Sequence, residues 1–387
     1  MKQKKETAVI YIITKLELGG AQKVCLSLFN DAPIDTPFDS FLITGPEGKL
    51  VSEVATSPRV RFIGALKREV SGLNLWQEFK ALISLIHTLR TIKKDYRHVV
   101  VHTHSTKAGI YGRLAAWIAR IPVRIHTVHG YGFHQHQRWI PWLVIVFLEW
   151  MASLITTHFV CVSSHDADIG RQFFPRFAKK YTLIRAAVDT YRIIPAYAIS
   201  TQTFNREEFI FGSIACFKPQ KNLIDLLQAF ERVHNLLPYT KLEIIGDGIL
   251  RPNLEQWIHE HNLTDSVTLH GWQHGVQPFL ARWHAFTLSS LWEGLPCAIV
   301  EARMHRLPVV CYDTGGIRDV IIHGKNGLLC AQKDWHQLAH HMMSIASDKD
   351  YYHQLRTHHD DLKDFERSTM TSLHKKLYAT LLNQKNS

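Results

Sequence analysis

The sequence has no paired cysteines: Cys25, Cys161, Cys216, Cys297, Cys311 and Cys330 are scattered, without a CxxC. That excludes a disulfide framework or a paired-thiol motif and reads as reduced, mostly buried thiols of a cytosolic protein. A long apolar run is missing too. The longest, Trp139 to Leu148, falls well short of the ~20 residues that span a bilayer. The basic prefix MKQKK precedes a short apolar run that ends before the ~7–15 residues of a signal-peptide core, so a first β-strand is the better reading. There is no short-period repeat and no low-complexity tract. Acid is scarce in one half only: residues 1–190 hold 25 Lys and Arg against 14 Asp and Glu, while 191–387 hold 20 of each, so the net +11 belongs entirely to the first half. Such asymmetry points to an anionic partner for one domain: a phosphate-bearing substrate, an anionic membrane surface or nucleic acid.

What is present suits two ordinary domains. A chain of 387 residues is too long for one comfortable core, and 46% hydrophobic with 11% aromatic residues excludes an extended disordered protein. Short β-branched runs at 8–14, 38–44, 98–105, 123–130 and 158–164 alternate with helix-period segments at 19–32 and 73–94. In the second helix Leu75, Phe79, Leu82, Ile83, Ile86 and Leu89 mark one apolar stripe. Periodicity stops over 189–208, a linker with Pro195, Ser200, Thr201 and Thr203, and then resumes. Strands are expected at 209–217, 241–248, 266–272, 285–294 and 307–316, with helices between them and a helical tail. The fold expected is α/β, with two consecutive Rossmann-like domains of parallel sheet. The domains are 1–188 and 209–365, with a tail over 366–387 that packs back on the first domain.

Ligands of such sheets sit beyond the carboxyl ends of strands. The sharpest loop is SSLWEGLPCAIVEA (289–302). There Glu293 and Gly294 precede Pro296, placed for a first helical turn, and Glu301 follows on that helix. Free backbone N–H groups at a helix start offer a diphosphate seat, and two flanking carboxylates can accept from sugar hydroxyls. The plainer reading, a first-turn acid and a solvated helix acid, stands beside it. Lys221 at a helix start opposes the helix dipole, which favours a special role over simple solvation. His102 and His104 point the same way on a strand, but no third residue has metal-ligand spacing. Asp166-Ala167-Asp168 sits at a helix start and is read as structural.

Here the residues resemble a family. EGLPCAIVE is similar to the E-x7-E motif of family 4 retaining glycosyltransferases, which have the GT-B fold of two Rossmann-like domains facing across a cleft. The resemblance spans most of the chain: LELGGAQKV (16–24), residues 100–133, GSIACFKPQKN (212–222) and TGGIRDVIIHGKNGLL (314–329) stand in the family's order. It implies that Glu301 holds the nucleotide ribose and Glu293 the donor sugar. Gly294 and Leu295 offer N–H groups to the diphosphate, and Lys221 neutralises the leaving group. Gly20, Lys218, Gly246 and Gly316 complete the expected donor site. His129 lies beside the donor sugar, and Gly19, His104 and Ser105 are expected at the acceptor. The family's usual Arg five residues before the Lys is replaced by Cys216, with Lys218, Lys221 or Arg318 as substitute charges. The resemblance implies retention, no metal and no cofactor.

The implied reaction moves a sugar from a nucleotide donor, with UDP as the default, to a hydroxyl of a growing, lipid-linked cell-surface glycan. Alternatives are a GT-B nucleotide-sugar epimerase, or a basic nucleic-acid- or membrane-binding protein without catalysis. No nucleic-acid recognition module is found. Residues 59–97 carry nine basic residues against three acids, and Arg138 is interleaved with Trp139, Trp142 and Trp150. A peripheral contact with an anionic membrane is one expectation; for 139–150 the favoured reading is a helix buried on the sheet. The expected location is the cytoplasm or the inner face of its membrane.

Overall fold

β-Branched runs without alternation must be covered on both faces, and the chain covers them with helices. The structure, a computed structural model, describes residues 4–31, 38–66, 75–188, 204 and 207–386. It divides into two units, Met1–Ala187 with Asp364–Ser387, and Val188–Lys363. The expected linker at 189–208 lies outside the described residues, apart from Phe204, Glu207 and Glu208.

The first unit runs β1 (Lys5–Ile12), α1 (Gly20–Asn30), β2 (Phe38–Thr44), β3 (Val60–Phe62), α2 (Leu75–Lys94), β4 (Tyr96–His104), α3 (Thr106–Ile118), β5 (Val123–Val128), α4 (Trp139–Ile155), β6 (His158–Cys161), α5 (Ser164–Phe173) and β7 (Tyr181–Leu183). Its seven strands are all parallel, in the order β3-β2-β1-β4-β5-β6-β7. Ala8, Ile10 and Ile12 of β1 and Val99 and Val101 of β4 join Leu85, Leu89, Ala108 and Ala115 from α2 and α3 in one core. Each such large aliphatic side chain contributes about 1.5–3 kcal/mol when fully buried.

The second unit runs β8 (Phe209–Ile214), α6 (Leu223–Leu236), β9 (Thr240–Ile245), α7 (Arg251–Glu260), β10 (Val267–Gly271), α8 (Gln277–Arg282), β11 (Ala285–Leu288), α9 (Cys297–Met304), β12 (Val309–Tyr312), β13 (Gly327–Cys330), α10 (Trp335–Ser347) and α11 (Lys349–Thr357). Its strands are parallel, in the order β10-β9-β8-β11-β12-β13. The last helix, α12 (Arg367–Asn386), belongs to the first unit. Arg367 donates two hydrogen bonds of 2.6 Å to the Asp31 carboxylate, just past α1.

Two expectations fail, both on helix faces. In α2 the residues turned inward are Ala81, Leu85, Ile86, Leu89 and Ile92, while Phe79 and Ile83 of the expected stripe are exposed. The expected burial of 139–150 is overturned as well. In α4 only Glu149, Ala152 and Ser153 are buried. The helix is held by its one charge: Arg113 of α3, fully buried, donates to Glu149 at 2.6 Å, to Thr156 Oγ1 at 3.1 Å and to the Gly109 carbonyl at 2.7 Å. Removing either partner of such a buried pair costs about 3–5 kcal/mol, so this pair dictates which side of α4 faces in.

Candidate functional site

A doubly wound parallel sheet offers a ligand crevice where the strand order reverses direction. In the second unit the reversal lies between β8 and β11, so the loops 215–222 and 289–296 meet there. The Lys221 ammonium contacts Glu293 Oε1. Both side chains are largely shielded, at 17% and 9% exposed. The loops are tied by backbone and side chain: Leu291 N–H donates to the Gln220 carbonyl at 2.8 Å, Gln220 Nε2 to the Trp292 carbonyl at 2.7 Å, and Ser289 Oγ lies 2.9 Å from the Lys221 and Asn222 carbonyls. Asn222 takes a left-handed conformation (φ 47°) to start α6. The neighbouring positions of β8 and β11 thus bring a cation and a carboxylate, 72 residues apart, into one corner.

The helix start beside this corner is α9, with Pro296 as its N-cap. Gly294 and Leu295 are buried in the loop before it, and Glu301 lies partly exposed on the helix. The loop after β12 closes over them. Gly316 N–H donates to the Gly294 carbonyl at 2.7 Å, and Thr314 Oγ1 to the Leu291 carbonyl at 3.1 Å. Gly315, at φ +55°, is required here, because a Cβ would stand 2.0 Å from the Glu293 carbonyl oxygen. Gly246, at the end of β9, has φ +132°, and a Cβ there would meet the Ala215 carbonyl at 1.8 Å. Lys218 and Cys216 are partly exposed on the loop after β8. Arg318, expected as one substitute charge, is instead ion-paired with Asp313 and 74% exposed.

In the first unit the order reverses between β1 and β4. Gly19 is the N-cap of α1 and Gly20 its first residue, both following β1. His104 ends β4, and His129 follows β5 by one residue. His104 Nδ1 lies 2.9 Å from His129 Nε2, so one imidazole donates and the other accepts. Parallel pairing sets Tyr11 beside His102, and α12 supplies His374 and Tyr378 to the same face. His102 is 2.7 Å from the Tyr378 hydroxyl and 2.6 Å from Thr127 Oγ1, so both its nitrogens are engaged. Burial lowers the pKa of His102 and His104 well below the ordinary value, and neighbouring imidazoles lower both further. For His129, burial and then His374 push it down to about 3. All three rings are neutral near pH 7. His104 Nε2 is buried without a hydrogen-bond partner among the described residues. Ser105 sits at φ 65°, ψ 152°, a strained region for a residue with a Cβ, and its hydroxyl lies 3.3 Å from Thr14 Oγ1.

The structure therefore brings Lys221, Glu293, Gly294, Leu295 and Gly316 together in one unit, and Gly19, Gly20, His104, Ser105 and His129 along one strand edge in the other. No group of three or more His, Cys, Asp or Glu that could hold a metal is formed among the described residues. Asp166 shares a reciprocal capping contact with Ser163, and Asp168 pairs with Arg171. Sequence reasoning missed Gln220, Thr314, His374 and Tyr378. The last two share a helix face at i,i+4, the one local signal that could have found them.

Two family models match the chain: glycosyl transferases group 1 over residues 199–359, and a glycosyl transferase 4-like domain over 39–184. An Escherichia coli UDP-Gal:alpha-D-GlcNAc-diphosphoundecaprenol alpha-1,3-galactosyltransferase is 32% identical over 340 residues, 86% of each chain. A Rhizobium meliloti lipopolysaccharide core biosynthesis glycosyltransferase, LpsE, is 29% identical over 43% of this chain and 49% of its own. Among solved structures, Anabaena HepE in complex with UDP and glucose superposes with TM-score 0.79 at 18% identity, covering 96% of this chain and 99% of that one, a likeness of fold.

Proposed function

The chain belongs to the family 4 glycosyltransferases of GT-B fold, and from that premise we propose that it transfers a hexose from a UDP-sugar, with retention and without a metal or cofactor, to a hydroxyl of a lipid-linked cell-surface glycan. The observation that carries this reading is the shielded Lys221–Glu293 pair at the reversal point of the second sheet. A departing nucleoside diphosphate develops negative charge, and a fixed ammonium in a shielded corner stabilises it far better than water would. Lys221 is that ammonium. Its pairing with Glu293 holds it in place before the donor binds, and leaves the carboxylate positioned to accept from donor-sugar hydroxyls.

In this reading the diphosphate sits on the N–H groups of Gly294 and Leu295 at the start of α9, with Lys218, Gly246 and Gly316 around it. Glu301 takes the ribose hydroxyls. The acceptor attacks the face from which the diphosphate leaves, so positioning and charge stabilisation do the catalytic work. His129, neutral, can donate to or accept from a sugar hydroxyl without adding a positive charge. Gly19, His104 and Ser105 receive the acceptor, and the diphosphate lipid named in the Escherichia coli relative supports a lipid-linked one. The location that suits such an acceptor is the cytoplasmic side of the membrane.

Calorimetric titration with UDP, GDP and CMP, without added metal, tests the reading. UDP binding that is lost in Glu301→Ala is the expected result. Binding of another nucleotide alone, or UDP affinity unchanged in Glu301→Ala, would overturn the donor assignment.

A further inference from the structure

The outward face of α4 has no counterpart in the chemistry above. Trp139, Ile140, Leu143, Val144, Phe147, Leu148, Trp150, Met151 and Leu154 are all exposed, Trp139 at 70% and Phe147 at 58%, and no charged side chain interrupts them. Scattered exposed apolar residues are ordinary, but a contiguous helix-length stripe is a binding surface. Its neighbours extend it. α2, α3 and α4 pack side by side, and Trp76 and Phe79 of α2 and Trp117 of α3 are exposed as well.

We propose that this face docks the protein onto an anionic phospholipid bilayer, α4 lying in the plane of the interface. Three observations select a bilayer over other occupants. First, the exposed Trp rings combine a large apolar surface with one N–H donor, which suits the boundary between headgroup and acyl chain. Second, the charges sort by sign. The only acids of α2, α3 and α4 are Glu78 and Glu149, and both are turned inward onto Lys107 and Arg113. Among the described residues, the exposed charges on and flanking these helices are Lys80, Arg90, Lys94, Arg120 and Arg138, five basic groups against one acid, Asp95, just past α2. Anionic headgroups match that rim, whereas a second copy of the chain would set like charges against each other. Third, no helix among the described residues is long and apolar enough to cross a membrane, so a bilayer would meet the stripe lying in its interface and not spanning it. The inference rests on the surface. Its link to catalysis, that docking brings the protein to a lipid-linked acceptor, is the only part resting on the proposed function.

Flotation of the full chain at low salt tests it, using phosphatidylcholine vesicles with and without phosphatidylglycerol. The wild type should float with the anionic vesicles, and less so with neutral vesicles or at high salt. The double variant Leu143→Glu/Phe147→Glu should lose binding by on the order of a hundredfold with an unchanged thermal midpoint. A milder pair, Leu143→Ser/Phe147→Ser, should lie between. Wild type remaining unbound at low salt overturns the proposal. So does equal binding by the Glu variant, or a wild-type dimer that this variant splits in the absence of vesicle binding. Vesicle binding without UDP binding supports the docking and overturns only the donor reading.

Discussion

The two sheets place their reversal points alike and line them with opposite electrostatics. In the first unit the crevice edge is built from neutral, mutually hydrogen-bonded imidazoles; in the second, from an ammonium and a carboxylate in contact. Topology alone therefore says where a ligand goes, and the side chains say what kind. On the proposed function, the charged corner suits a group that leaves as an anion. The neutral one is equipped for hydroxyls, to which imidazole can donate or accept without a net charge.

Acid is the bluntest way to break this contrast, because it charges the neutral edge. His374 is 2% exposed and burial sets its pKa at about 4, below the unfolded value near 6.5. The folded state then binds fewer protons than the unfolded one, so stability is full above about pH 6.5 and falls as pH drops toward the folded pKa. His374 alone should remove about 2–3 kcal/mol by about pH 4.5, and His102 and His104 act in the same direction. Scanning calorimetry with hydrogen exchange at β4 and α12 reads this out. A flat midpoint across that range would show that these rings are not buried neutral.

Taking the charge out of the other corner comes next in size. Lys221→Ala should lower kcat by about 10²–10³-fold; turnover within a few-fold of wild type would remove Lys221 from the leaving-group role. The smallest expected effect lies at Ser105. Ser105→Gly relieves a left-handed conformation and should raise stability by about 1 kcal/mol, checked by the denaturation midpoint. A loss there would mean that the contact with Thr14 outweighs the strain.

Legibility followed the length scale of the physics. β2 at 38–44 reads directly, since a buried parallel strand carries its signal in consecutive residues. β3 and β7, of three residues each, and β13, of four, are too short to carry any period. α4 is apolar on nearly every side, so its pattern does not say which side faces in. Glu149 decides that, and its partner Arg113 is 36 residues away. In α2, Phe79 and Ile83 share a helical period with residues that are buried, and local spacing cannot choose between two apolar stripes. The motif loops of the second unit were readable because each sits whole between a strand and a helix. The contact of Lys221 with Glu293, and the cluster joining His102 to His374, depend on strand order and on a helix that arrives at the end of the chain.

That late arrival bears on synthesis. His102 meets Tyr378 across 276 residues of sequence, and Asp31 waits for Arg367 across 336. At about 5–20 residues per second, the last strand-edge partners of the first unit leave the ribosome roughly 14–55 s after His102 does. The usual N-terminal-first order of folding is then suspended: the second unit can complete itself while the first still holds an uncovered sheet face, His102 lacking Tyr378 and Asp31 lacking Arg367.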